Sequence, residues 1–154
     1  MQKEETHLQF LTFKLDEQEY ALNIANVVQV IRMIAITRPP IAQEYVEGMV
    51  NLRGSVIPVI NLRKRWGLPP KEHDLNTQLL IARANSHTMA LTVDAVSEVL
   101  AIPTGSIEPL ERSGAKMECL LAVGKLGERL LLIVDPNTLL PGGATSTNPG
   151  LTQS

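Results

Sequence analysis

The sequence contains little of what catalytic, metal-binding and nucleic-acid-binding sites require. Its 154 residues include one cysteine, three histidines, one tryptophan, two tyrosines and two phenylalanines. A single cysteine excludes an internal disulfide, and so few aromatic rings are too few for a platform on which nucleobases stack. The formal net charge of −2 gives no electrostatic reason to expect a nucleic-acid partner, because such proteins rely on clustered positive charge.

The few residues that could act as catalysts are scattered along the chain. His7, His73 and His87 fall in a terminus, a connector and a strand, and none is next to Cys119 in the sequence. The chain has no histidine and cysteine spacing typical of metal sites, no glycine-rich phosphate loop and no Gly-x-Ser-x-Gly elbow. We therefore predict that the protein is not an enzyme and uses no cofactor and no metal.

No segment predicts export or insertion into a membrane. Residues 1–6 are polar and lack the apolar region of a secretory signal. The longest aliphatic run, residues 130–134, is far below the roughly 20 residues of a membrane-spanning helix. Cys119 lies in an apolar segment, which indicates a buried thiol in a reducing environment. We expect a cytoplasmic protein without direct membrane insertion.

The composition predicts one compact domain with flexible ends. The length is sufficient for one core, or for two small barrels that share one. Residues 1–7 are expected to be a flexible N-terminus, and residues 8–140 a single domain made of two β-barrel subdomains. Residues 141–154 carry no charge and are rich in Gly, Ser, Thr and Pro. This composition predicts a disordered tail.

Short apolar runs separated by turn residues predict a chain of β-hairpins. Gly48, Asn51, Gly54 and Gly127 are interpreted as structural turn and hairpin residues, since glycine tolerates a positive φ and a close approach of the backbone. The predicted hairpins join residues 8–15 to 20–24, 50–52 to 56–60, 78–83 to 87–93, and 120–123 to 129–134.

Two places in the sequence indicate the start of a short helix. After Asn61, the run Arg63-Lys64-Arg65 is interpreted as the charged, solvated face of a short helix. Asp135 followed by Pro136 is typical of a helix N-cap with proline in the first helical position. Short helices are therefore expected after two of the strands.

The sequence repeats itself with a period near 70 residues. Residues 20–31 align without gaps on residues 89–100, and alanine, leucine and both valine positions coincide. A weaker second match places residues 56–62 on residues 130–136. Both matches keep the same order, which favours a duplication over chance. Such a period suits a pair of similar small β-barrels.

Several blocks of the sequence resemble the CheW family of chemotaxis coupling proteins. The resemblance extends over residues 10–140 and appears in four ordered blocks. The blocks are 10–15 with 20–22, 48–54 followed by 58–63, 93–99, and 123–129.

The resemblance implies a mainly β fold of two intertwined five-stranded SH3-like barrels with short helices and a groove between them. It implies a cytoplasmic scaffold without catalysis, recruited to membrane-associated chemoreceptor arrays. Its partners would be the regulatory domain of a CheA-type histidine kinase and the cytoplasmic tip of methyl-accepting chemoreceptors. The positions that match the family's receptor-binding residues are Val27, Gln29, Arg53, Val96 and Val99. No kinase-binding residues are assigned.

Two positions depart from the family pattern. Gln29 stands where the family usually has glutamate, and Asn61 where it usually has aspartate. One alternative is therefore a CheW paralogue that serves a non-flagellar system, such as a type IV pilus or gliding motility. A remote alternative is a nucleic-acid-binding barrel of the SH3 or OB type, since a fold does not determine its function. Charge and aromatic content disfavour that alternative.

Overall fold

The computed structural model describes residues 6–40, 44–110 and 118–140. Within these residues the protein is built from eleven strands, one short α-helix and three single-turn 3-10 helices. The strands are β1 (His7–Leu15), β2 (Gln18–Asn23), β3 (Val27–Arg32), β4 (Val46–Leu52), β5 (Ser55–Asn61), β6 (Gln78–Ala84), β7 (His87–Val93), β8 (Ala95–Pro103), β9 (Ile107–Pro109), β10 (Leu120–Leu126) and β11 (Arg129–Val134). The helix α1 is Leu62–Arg65, and the 3-10 turns are Ile24–Asn26, Thr104–Ser106 and Pro136–Thr138.

The strands form two sheets that exchange segments of the chain. The six-stranded sheet has the order β8-β1-β2-β11-β10-β9, and the five-stranded sheet has the order β3-β6-β7-β5-β4. The N-terminal hairpin therefore lies in the same sheet as the C-terminal strands. The chain crosses to the other sheet after β2 and crosses back after β7. The two halves of the protein are intertwined in this sense.

The sequence repeat is present in the fold. When the halves are aligned, β1, β2, β3, β4 and β5 correspond to β6, β7, β8, β10 and β11, and the two sheets then have the same strand order. Each sheet contains one parallel pair at equivalent positions, Ile133 opposite Ala21 and Val59 opposite Ala90. Matching registers across the repeat are the signature of a duplicated unit rather than of chance similarity.

The core of the described residues consists of one central cluster and two smaller clusters, one on each sheet. The central cluster joins both sheets, with Phe13 and Leu15 from one and Leu80 and Leu91 from the other. All four side chains are almost fully buried. Each buried aliphatic or aromatic side chain contributes about 1.5–3 kcal/mol. The shared cluster therefore holds the two halves together as one body.

The predicted mainly β, CheW-like architecture of two similar units is confirmed, with one difference in strand count. The six-stranded sheet gains β9, which pairs with β10 through Ile107, Glu108 and Pro109. A three-residue strand that ends in proline has no periodic signal in the sequence. Residues 1–5 and 141–154, for which flexible ends are predicted, lie outside the described residues, and His7 is the first residue of β1. The proposed domain boundaries remain a prediction.

The Arg65 side chain of α1 is only 17% exposed, and the prediction of a solvated face for this helix is also wrong at Arg63. Its side chain is 8% exposed, and its guanidinium donates to Asp16 Oδ1 at 2.7 Å and Asp94 Oδ2 at 2.6 Å. A third bond goes to the carbonyl of Pro69 at 2.8 Å. The hydrogen bond from Arg63 lowers the pKa of the Asp16 carboxyl. Asp16 lies in the β1–β2 turn and Asp94 between β7 and β8, so Arg63 ties α1 to both sheets.

Candidate functional site

A groove of about 540 Å³ lies on the five-stranded sheet and brings together residues far apart in the sequence. We call it the cationic groove and define it by Val28 and Gln29 from β3, Arg53 from the β4–β5 turn, Val56 from β5, and Arg83 from β6. Two of the five predicted receptor-binding residues, Gln29 and Arg53, line this groove.

A β-bulge directs β3 towards the groove. The pairing of β3 with β6 shifts between Val27, which lies opposite Ala82, and Gln29, which lies opposite Ile81. Val28 is the extra residue, and half of its side chain is exposed. A bulge of this kind re-aims side chains at the edge of a sheet. Gln29 thereby lies beside β6 on the same face as Ile81.

The β4–β5 turn presents Arg53 to solvent. Arg53 and Gly54 form the two central residues of a hairpin turn, with φ values of 52° and 87°. Positive φ at both positions is the geometry of two-residue hairpins, and it favours glycine at the second one. Asn51 Oδ1 accepts a hydrogen bond from the Gly54 backbone N–H at 2.9 Å and closes the turn. The exposed Arg53 side chain makes no ion pair with any described residue.

The remaining predicted receptor-binding residues do not line the cationic groove. Val27 and Val96 occupy equivalent positions of the repeat, and both pack, partly buried, against the central cluster. Val99 is half-exposed on β8, where it pairs with Leu11 of β1. Of the five predicted residues, Gln29 and Arg53 therefore line the groove. Val27 and Val96 pack against the core, and Val99 is exposed on the other sheet.

Gly48 is required by a close contact rather than by a turn. It lies within β4, where the chain around Thr37 forms a bridge with Met49. A Cβ atom at Gly48 would lie 2.3 Å from the carbonyl oxygen of Thr37, closer than any side chain tolerates. Gly127, in contrast, has a φ of 59° in the β10–β11 turn.

Sequence reasoning missed Arg83 and Val56 as groove residues. Arg83 is the only charged residue of β6, at an exposed position two residues after the buried Ile81. The Val56 side chain is 66% exposed. An isolated charge in an apolar strand is the one signal that could have found Arg83. No signal in the sequence separates an exposed valine from a buried one in such a short strand.

A second polar cluster surrounds the carboxylate of Glu47, whose side chain is 9% exposed. It accepts bonds from Arg38 at 2.6 Å and from Asn61 at 3.2 Å, and it lies 2.8 Å from His73 Nε2. Burial acts to raise the pKa of Glu47, but the hydrogen bonds from Arg38 and His73 hold it below its ordinary value. The Asn61 side chain also caps α1 by accepting from the Lys64 backbone N–H at 3.1 Å. An aspartate at position 61 would instead place a second carboxylate against Glu47.

The cysteine is unsuited to nucleophilic catalysis. Cys119 is buried, and burial raises the pKa of its thiol. A thiol with a raised pKa is a poor nucleophile, because the thiolate is the reactive form. Within residues 6–40, 44–110 and 118–140, no three histidine, cysteine or acidic side chains gather as metal ligands would. In the same part of the chain, no helix has the length and apolarity to cross a membrane.

The fold defines the protein as an internally duplicated, mainly β module with an open groove on one of its two sheets. The family model described as CheW-like domain matches residues 9–142. The chain belongs to the CheW-like domain family.

Individual relatives agree with this assignment. The chain is 32% identical to a chemotaxis protein CheW of Helicobacter pylori, over 86% of this chain and 81% of that protein. It is 31% identical to a chemotaxis protein CheW of Klebsiella aerogenes, again over 86% and 81%. A crystal structure of the scaffolding protein TtCheW from Thermoanaerobacter tengcongensis has a TM-score of 0.78 at 32% identity, covering 84% of this chain and 89% of that one.

Proposed function

We propose that this protein is a non-catalytic adaptor of chemotaxis signalling that couples chemoreceptors to a CheA-type histidine kinase. The observation that carries the proposal is the match of the CheW-like domain to residues 9–142. Relatives named chemotaxis protein CheW and a crystal structure described as a scaffolding protein support it. They also favour a chemotaxis role over the pilus or gliding alternative.

The cationic groove is the proposed receptor-binding surface. Gln29, Arg53 and Arg83 come from three different strands or turns and converge on one open groove. The proposed partner is the helical hairpin of a receptor tip, which would lie against this open groove. Arginine at such a surface is typical of binding hot spots.

The adaptor would transmit a signal through linkage rather than through chemistry. A receptor bound at one surface can change the activity of a kinase bound at another only if the bridged complexes differ in free energy between the kinase states. A coupling of about 1–3 kcal/mol is typical. The central cluster shared by both halves gives the protein a single core through which two partners are held at a fixed distance.

Each contact is expected to be weak in isolation. Transient signalling interfaces bury less than about 1,200 Å² of surface in total. We associate interfaces of this size with micromolar affinity. Many such contacts become stable together because each bound partner raises the effective concentration of the next. The cytoplasmic face of a membrane that carries clustered receptors would provide this setting.

Titration calorimetry tests the proposal. The protein is titrated against the regulatory domain of the CheA-type kinase of the same organism, and separately against a fragment of the receptor tip. We expect micromolar binding in both experiments. Arg53→Glu should weaken receptor binding and leave the kinase titration unchanged.

A matched control is Lys64→Glu, which reverses an exposed charge on α1, outside the cationic groove. Its receptor titration should match that of the unmodified protein. Circular dichroism and thermal melting establish that both variants fold. Failure of the unmodified protein to bind either partner would refute the adaptor function.

A further inference from the structure

We infer that the segment which occupies the cationic groove is an acidic one, and that its carboxylates supply the negative charge that the groove lacks. The inference rests on the proposed function and adds the chemistry of the receptor segment.

The groove contains unbalanced positive charge. Its lining includes the guanidinium groups of Arg53 and Arg83 and no carboxylate. Neither guanidinium makes an ion pair within the described residues, and both side chains are exposed. Gln29, the residue that could have carried a negative charge here, is neutral. The excess is local, because the whole chain has a formal net charge of −2.

The equivalent surface of the other sheet shows the opposite arrangement. There Glu98 occupies the position that corresponds to Gln29 in the repeat. Arg129 donates to Glu19 at 2.7 Å and to Glu98 at 3.3 Å, so this surface neutralises its own cation. The duplicated fold thus presents one surface on which the arginine is paired with carboxylates and one on which the arginines have no carboxylate partner among the described residues. Only the second needs a carboxylate from elsewhere.

Residues 141–154, which follow the groove residue Leu140, do not supply this carboxylate. Leu140 lies at the edge of the groove. Residues 141–154, which follow it in the sequence, contain no charged side chain. A partner protein with acidic side chains would supply the carboxylate.

The groove also has apolar area for a partner that is not purely charged. Val28 and Val56 expose 50% and 66% of their side chains at its rim. The base is formed by the buried Ile57 and Ile81. An amphipathic helix fits this combination, with apolar residues on the valines and glutamate or aspartate reaching the two arginines. Amphipathic helices commonly bind to grooves in this manner.

Gln29→Glu is the decisive variant, because it is nearly isosteric and adds a negative charge to the groove lining. If the partner is acidic, the new carboxylate competes for Arg53 and Arg83 and repels the partner. Exposed charge pairs are worth about 0.2–1 kcal/mol, which corresponds to about a 1.4- to fivefold loss of affinity for the receptor-tip fragment. Arg83→Gln should cause a loss of similar size. Both effects should shrink as salt is raised, because screening weakens exposed charges.

Thr104→Glu is the matched control, because it adds the same charge to an exposed turn between β8 and β9 of the other sheet. It should leave the affinity for the fragment unchanged. Tighter or unaltered binding of the Gln29→Glu variant would overturn the inference while the adaptor function stands. Unmodified protein that binds the kinase domain but not the fragment would overturn the inference together with receptor coupling.

Discussion

Replacement of Arg63 by methionine should destabilise the protein far more than the same change at the other charged positions of α1 that are exposed. Methionine keeps much of the aliphatic stem of arginine but removes the guanidinium. Asp94, whose side chain is 17% exposed, then loses its 2.6 Å partner, and the carbonyl of Pro69 loses a donor. The cation that remains, Lys71 Nζ, is 3.7 Å from Asp94 Oδ2 and is too distant to replace the guanidinium. A partly buried carboxylate that loses its main partner is unfavourable, because little water is available to solvate it.

The expected loss in the free energy of unfolding follows from how deeply the interacting groups are buried. Removing one member of a fully buried ion pair costs about 3–5 kcal/mol. Asp16 is half-exposed and is solvated by water in the variant, so its part of the cost is small. Hydrogen bonds to charged groups contribute about 1.5–3 kcal/mol. We therefore expect Arg63→Met to lower the free energy of unfolding by about 2–4 kcal/mol.

Urea denaturation followed by circular dichroism measures this change. Lys64→Met is the matched control, because Lys64 is exposed on the same helix and makes no ion pair with the described residues. Its free energy of unfolding should change by less than about 0.5 kcal/mol. If the two variants have the same stability, the Arg63 cluster does not hold α1 to the sheets.

Three further predictions concern other parts of the fold. The pKa of Glu47 is lowered in the folded protein, so its carboxylate stabilises the fold at pH values above its ordinary pKa of 4.5, and this contribution is lost as the pH falls through the lower folded pKa. Urea titrations at several pH values should therefore show that acid lowers the free energy of unfolding less in Glu47→Gln than in the unmodified protein. Gly48→Ala should lower the free energy of unfolding by about 1–3 kcal/mol through its clash with Thr37, whereas Gly105→Ala, with open space at its Cβ, should have little effect in the same assay. The buried Cys119 should react with a thiol reagent much more slowly in the folded protein than in urea, and equal rates would contradict its burial.

The duplicated architecture could be predicted from the sequence because its signals are local. Alternating apolar residues, turn residues and the match of residues 20–31 to 89–100 each depend on short stretches of chain. The structure shows the predicted hairpins at residues 78–93 and 120–134. Asp135 caps the 3-10 turn Pro136–Thr138, so the predicted helix start is present but lasts a single turn.

The charge clusters could not be predicted, because their members meet only in the folded protein. Arg63 and Asp94 are 31 residues apart, and nothing in the helical spacing distinguishes Arg63 from its exposed neighbour Lys64. The same holds for Gln29 and Arg53, which the resemblance marks separately and which only the sheet order places in one groove. The hydrogen bond that the Asn61 side chain donates to Glu47 is likewise visible only in three dimensions.

Co-sedimentation with receptor-bearing membranes tests the bridging function most directly. Vesicles that carry the cognate chemoreceptor are mixed with the CheA-type kinase, and the kinase in the pellet is measured with and without this protein. The proposed adaptor function predicts that the kinase pellets strongly only when the protein is present, and that Arg53→Glu abolishes most of this recruitment. Equal kinase in the pellet with and without the protein would contradict the proposed coupling.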